Sequence, residues 1–227
     1  MSGFRAAFIA FGFSLAAGSV WASPDVGLPY RVAVAVCDRE DVPDPFMRLA
    51  QEVAGGVYRN TGVELEWVDN DCHRGDGVFA VNITSRAMAG AQVSDLTLGF
   101  AESGTRDATV LYDHVMKFAR RYHINRGVML GYAIAHELGH LLLPPNSHSA
   151  EGVMRGTLDL HLASERQLRF TAQQGALILD KLAALADQTA AARPQNCCDA
   201  SRAPSDMAAS FPQTTSGSTA AWPTHVP

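Results

Sequence analysis

Valine and alanine alternate from Arg31 to Val36, which predicts a core strand. Asp44-Pro45 then opens a helix, with Asp44 as N-cap and proline at the first helical position. Phe46, Leu49, Ala50, Val53 and Val57 follow at helical spacing, and Gly62 closes the helix. Val63–Val68 alternates apolar residues with Glu64 and Glu66, a strand with one solvated face. Residues 77–84 and 108–113 read as a third and a fourth strand. Between them, Leu98-Gly99-Phe100-Ala101 reads as a short strand at the sheet edge.

Residues 126–143 break this rhythm. Val128, Met129, Leu130, Tyr132, Ile134, Leu138, Leu141 and Leu142 cannot share one helical face, so this helix is expected to be buried all round. Ser164 with Gln167 matches a capping box. Leu168, Ala172, Leu179, Leu182 and Ala186 would line the core face of a last helix. The order β-α-β-β-β-β-α-loop-α is that of an α+β (mixed α/β) protein, not a doubly wound βαβ series.

Composition narrows the function classes. Of 227 residues, 47% are hydrophobic and 18% charged, as in an ordinary globular protein. With 18 Lys+Arg against 23 Asp+Glu the net charge is −5, which leaves no basic surplus for nucleic acid. Residues 1–22 carry Arg5, a compact apolar run from Ala6 to Ala17 and small residues before position 23, the make-up of a secretory signal cleaved near Ala22. The run falls short of the roughly 20 apolar residues a membrane span needs, so no stable anchor is expected after cleavage. Export, to periplasm or medium, puts the cysteines in an oxidising compartment, where a Cys37–Cys72 bridge competes with two unpaired thiols. Residues 193–227 hold five of the chain's 11 prolines and Cys197-Cys198, and read as a disordered tail. One domain, residues 23–192, remains.

Its chemistry centres on His136-Glu137-Leu138-Gly139-His140, an H-E-x-x-H sequence on the buried helix. Residues four apart lie about 40° apart around a helix axis, so both imidazoles point the same way and can each give a nitrogen to one zinc ion. Glu137, displaced around the axis, can reach a water on that ion and act as general base. Such a cluster inside an apolar helix is costly unless paired or metal-bound, although some H-E-x-x-H sequences simply face water or the core. A catalytic zinc needs a third protein ligand. Pro144-Pro145 ends the helix, and His148 follows on a loop able to fold back.

With Ser149 and Gly152-Val153-Met154 added, the segment resembles the zinc site and Met-turn of the metzincin metallopeptidases, chiefly their matrixin-like and archaemetzincin-like branches and small exported bacterial relatives. The resemblance spans about 30–187, with specific residues only at 136–154. It implies a twisted, mostly parallel sheet with an antiparallel edge strand, an active-site helix, a Met-turn and a C-terminal helix. It also implies His136, His140 and His148 as Zn2+ ligands, Glu137 as general base and acid, Met154 as the floor beneath the metal, and Leu98–Ala101 as the strand along which an extended peptide lies. The family pattern would put Gly at Leu143 and the third His at Asn146. Here His148 comes two residues later, with Pro144-Pro145 to make the turn, and Gly156 stands where some relatives have tyrosine.

Other residues compete for these roles. Asn146 is a poor zinc ligand beside an imidazole. Glu165 matches the downstream glutamate of gluzincins, but Arg169 breaks their pattern, and Glu165 is read as a helix-start charge. His161 and Asp159 read as solvated, and His73, His114, His123 and His225 have no partner at ligand spacing. Arg155 is a guess for an oxyanion stabiliser. The expected function is an exported, monomeric zinc endopeptidase acting on peptide or protein substrates. The alternatives are an inactive, zinc-stabilised binding or scaffold protein and a gluzincin-like peptidase using Glu165.

Overall fold

A computed structural model describes residues 30–68, 72, 77–90, 93–102 and 104–191; the expected signal at 1–22, the expected tail at 193–227 with Cys197-Cys198 and His225, and His73 lie outside the described residues. The strands are β1 (Tyr30–Asp38), β2 (Val63–Val68), β3 (Phe79–Thr84), β4 (Gly99–Ala101) and β5 (Asp107–Leu111). The helices are α1 (Asp44–Arg59), α2 (Arg86–Ala89), α3 (Tyr112–Arg121), α4 (Arg126–Leu142), α5 (Leu160–Ser164) and α6 (Ala172–Ala191).

The strands form one sheet in the order β2-β1-β3-β5-β4. β1 pairs in parallel with β2 (Val32 opposite Leu65) and β3 (Val36 opposite Val81), and β3 in parallel with β5. β4 runs antiparallel to β5, with Phe100 opposite Thr109, and is the outer edge. The sheet is mixed and mostly parallel with an antiparallel edge strand, as expected. β1 and β3 are buried on both faces, which is why they read as nearly continuous apolar runs. On β2, the solvated glutamates meet Arg31: Nη1 lies 2.8 Å from Glu66 and Nε 3.7 Å from Glu64.

α4 is the axis of the domain. Val128, Met129, Leu130, Ile134 and Leu138 are all buried, and α1 packs along its length. The two helices approach so closely at Gly131 that a Cβ there would lie 2.6 Å from the Ala50 carbonyl oxygen. Cys37 and Cys72 form a disulfide with Cα atoms 4.8 Å apart, which ties the end of β1 to the segment after β2.

Several local expectations need correction. Pro43, not Asp44, is the N-cap of α1; Asp44 is the first helical residue and makes no side-chain cap hydrogen bond. The fourth strand stops at Leu111, and Tyr112 and Asp113 begin α3, a helix the alternation conceals. Ser164 ends α5, its hydroxyl donating to the His161 carbonyl, and caps nothing. The capping box is seven residues later: Gln174 N–H donates to Thr171 Oγ1 at 3.2 Å, and Thr171 N–H to Gln174 Oε1 at 3.0 Å. The core face of α6 is accordingly Gln174, Gly175, Ile178 and Leu182, while Ala172 and Ala186 face solvent and Leu168 is buried ahead of the helix.

Candidate metal centre

His136 and His140 sit one turn apart in the last half of α4. Leu143 leaves the helix in extended conformation, with φ −100° and ψ 160°, and Pro144-Pro145 prevent its continuation. Asn146 then takes a positive φ of 61°, the left-handed geometry that reverses the chain. Residues 144–147 make this turn, and His148 swings back over the helix end. His140 Nε2 lies 3.1 Å from His136 Nε2, and His148 Nε2 lies 3.3 Å from it. Ligand atoms of all three residues fall within 4.8 Å of one another, the one such His/Cys/Asp/Glu group among the described residues.

The protonation pattern follows from the partners. His136 Nδ1 lies 2.8 Å from the Val153 carbonyl oxygen, which can only accept, so Nδ1 carries the hydrogen and Nε2 offers a lone pair. Burial holds the His136 ring below its ordinary pKa; the Val153 hydrogen bond works the other way, and nearby His148 adds to the lowering. His140 is pushed down to about 4, first by burial and then by His136 and His148. Neutral imidazoles with lone pairs aimed at one point repel one another unless a cation lies between them.

A tetrahedral zinc ion with nitrogens at about 2.0–2.1 Å holds any two of them about 3.3–3.4 Å apart. Two of the three separations, 3.1 and 3.3 Å, match that spacing, and all three ligand atoms lie within 4.8 Å of one another. The donor set suits Zn2+: three imidazoles, one with its second nitrogen fixed by a backbone carbonyl.

Two further elements hold the third imidazole. Ser149 N–H donates to the Met154 carbonyl at 3.0 Å, and Val153 N–H to the Arg169 carbonyl at 2.8 Å, so the segment after His148 folds under the helix. Met154 is fully buried there, against Gly139: a Cβ on that glycine would lie 2.5 Å from Met154 Sδ. Gln174 is a residue the sequence reading missed. Its buried Nε2 donates to the Ser147 carbonyl at 3.3 Å and to Ser149 Oγ at 3.1 Å, gripping the loop on both sides of His148. The Thr171-x-x-Gln174 capping signature was the available signal, but nothing in the sequence ties a cap to a loop 25 residues earlier.

Glu137 is 4% exposed and lines the cleft beside the imidazoles. Burial raises its carboxyl to about 8. The side chain lies against β4, in the space left by Gly99. The cleft itself has a volume of about 1260 Å³ and runs from β4 past the imidazoles to α6.

Among the competing residues, Asn146 is exposed on the turn and outside the group. Glu165 does not open the last helix but sits at the C-terminal end of α5, with Oε1 3.5 Å from His161 Nε2, and is not among the converging ligands. Asp159 caps α5 by accepting from the His161 and Leu162 N–H groups, and Arg155 Nη1 lies 3.5 Å from it. His114 is buried, its ring nitrogen 2.7 Å from the Thr97 carbonyl oxygen, and His123 occupies a positive-φ turn.

No protein-family model matches the chain, and no curated protein matches it. Among solved structures, it is similar to archaemetzincin from Methanopyrus kandleri, at 14% identity and a TM-score of 0.45, over 67% of this chain and 96% of that one. It is likewise similar to a zinc-dependent peptidase from Methanocorpusculum labreanum, at 13% identity and a TM-score of 0.45, over 64% of this chain and 99% of that one.

Proposed function

We propose that the chain is an exported zinc-dependent endopeptidase of metzincin type. The observation that carries this reading is the convergence of the His136, His140 and His148 nitrogens, with the Glu137 carboxyl beside them in an open cleft. Zinc, when bound, supplies Lewis acidity, bringing water to a pKa near ~7 and polarising a carbonyl.

The remaining work belongs to the chain. His136, His140 and His148, which line the cleft, would hold the ion. Burial alone keeps Glu137 protonated at neutral pH, but the charge of a bound cation would draw its carboxyl back to the ionised form, in which it would take the proton of the attacking water and pass it to the leaving amine nitrogen. Among the described residues β4 pairs with β5 on one side only, and its other edge offers N–H and C=O groups to an extended peptide backbone. Main-chain pairing of that kind holds a polypeptide across the site with little demand on its side chains. The H-E-x-x-H sequence, the returning histidine and the buried Met154 support the metzincin assignment over a gluzincin arrangement, since Glu165 lies elsewhere.

The test is hydrolysis of a mixed peptide library by the full chain, as purified, after chelation and after zinc is returned, alongside Glu137→Gln. Cleavage that stops with the chelator, returns with zinc and is lost in Glu137→Gln with zinc still bound is expected. Full activity in Glu137→Gln would remove that residue from the mechanism, and absence of any zinc-dependent cleavage would overturn the enzyme reading.

A further inference from the structure

The cleft around the imidazoles is cationic, although the whole chain carries a net charge of −5. Among the described residues the one carboxylate that lines it is Glu137, whereas Arg106, Arg155 and Lys181 all reach it. Arg155 is partly neutralised by Asp159, 3.5 Å away. Arg106 lies over the ring of Phe79, its guanidinium carbon 5.4 Å from the centroid, and pairs with no carboxylate among the described residues. Lys181 likewise has no carboxylate partner there; it projects from α6 between Leu177 and Leu185, one turn to either side. These two cations therefore stand on separate walls, Arg106 beyond the Ala101 end of the edge strand and Lys181 on the C-terminal helix.

The same walls carry most of the exposed large apolar side chains among the described residues. Among the described residues the large hydrophobics left exposed are Met88, Leu96, Phe100, Tyr122 and Leu177, and all but Met88 line this cleft. Apolar side chains gathered in one place and rimmed by charge mark a surface kept for a partner rather than for water. The ligand such a surface suits is both apolar and anionic.

We propose that the cleft selects polypeptide segments in which Asp or Glu accompanies large apolar side chains, with Lys181 and Arg106 as the specificity-determining residues. The proposal deepens, and rests on, the peptidase reading above. A cleft with low-dielectric walls focuses the field of its charges on whatever enters. A carboxylate about 10 Å from one such cation, at an effective dielectric constant near 20, gains a factor of about ten over a neutral side chain. A lysine at the same position loses by a similar factor.

The test uses the zinc-loaded full chain and three peptides of equal length and identical apolar residues, with glutamate, glutamine or lysine at the same two positions. At low ionic strength kcat/KM for the glutamate peptide is expected to exceed that for the lysine peptide by at least about tenfold, and the ratio to shrink in about 0.5 M salt. In the double variant Lys181→Glu, Arg106→Glu the ratio is expected to fall to about one or to invert. Because the ratio is taken within each variant, loss of folded protein cancels. A ratio near one in the unaltered chain, or one unchanged in the double variant, overturns the proposal. If none of the three peptides is cleaved, the peptidase reading fails by itself, and the charge preference is read from fluorescence anisotropy of the labelled peptides. Tighter binding of the glutamate peptide, lost in the double variant, upholds it, and equal binding of all three overturns it.

Discussion

Gly99 on the edge strand and Glu137 on α4 share one small space. A Cβ on Gly99 would lie 2.7 Å from Glu137 Cγ and 2.8 Å from its Oε1, and 2.5 Å from the Thr109 carbonyl oxygen. The absence of a side chain at position 99 is what lets the acid stand beside the imidazoles with an edge strand at its back.

Gly99→Ala is therefore expected to displace Glu137 and strain the β4–β5 pairing. Overpacking of this kind costs about 1–3 kcal/mol. Urea unfolding should register that loss, and zinc-dependent hydrolysis should fall while zinc affinity, set by the histidines, changes little. An unchanged unfolding midpoint together with unchanged hydrolysis would show that the space is not needed.

The buried carboxyl predicts a pH dependence of the metal-free protein. Glu137 is raised to about 8 in the fold, so between its ordinary range and pH 8 the folded chain keeps a proton that the unfolded chain releases. Stability from this group is full at low pH and is lost as pH rises through 8. His140, lowered to about 4, acts in the opposite sense, its stability being lost as pH falls from 6.5 toward 4. Above pH 6.5 only the glutamate term remains, and stability should decline by up to about 1.4 kcal/mol per pH unit. Urea melts in chelator between pH 6.5 and 8 check this; Glu137→Gln should flatten the slope, and an equally steep slope in that variant would refute it.

Metal removal should lower stability, because an ion that binds only the folded chain stabilises it by about 4 kcal/mol at a thousandfold excess over its Kd. His148→Ala should weaken zinc binding by more than about 100-fold, given the energy each ligand contributes in structural zinc sites. Urea unfolding with and without chelator measures the first, and competition with a chromophoric chelator measures the second. Unchanged affinity and stoichiometry in His148→Ala would mean that the ring beyond Pro144-Pro145 is not a ligand.

Gln174 links the C-terminal helix to the histidine loop, and one substitution separates its two jobs. Gln174→Glu keeps an oxygen to accept from Thr171 N–H but removes the donor to the Ser147 carbonyl and Ser149 Oγ. The cap of α6 should survive while zinc affinity falls by about 10–100-fold, the range seen when a ligand's support is removed. Cobalt substitution gives a second readout, since the visible spectrum reports the ligand set. An unaltered spectrum and affinity would reduce Gln174 to a helix cap.

Much of this was legible in the chain itself. The apolar encirclement of α4, the alternation of β1 and β2, and the edge strand near Gly99 follow from local periodicity, which tertiary packing here reinforces. The pairing of His136 with His140 follows from helix geometry alone. α3 was hidden because Leu111-Tyr112-Asp113 continues the alternation of β5 and the helix opens without a side-chain cap, so no residue marks the boundary. The start of α6 was misplaced because Ser164–Gln167 and Thr171–Gln174 both fit a capping box. Long-range contacts decide between them: Phe170 packs edge-on against Tyr58 with centroids 5.0 Å apart, Arg169 pairs its carbonyl with Val153, and 167–171 stay outside any helix. The cationic walls of the cleft bring together Arg106 and Lys181, residues 75 apart in sequence, which no local signal joins.

The bridge between Cys37 and Cys72 has a practical consequence for anyone preparing the protein. Its half-cystines are 35 positions apart, and a tether of that span restrains the unfolded chain by about 4 kcal/mol in the loop-entropy picture. Material recovered from a thiol-rich cytosol and material folded in air would share every atom but two hydrogens, yet the first would have to do without that restraint. Assays comparing batches should therefore begin with a count of free sulfhydryls.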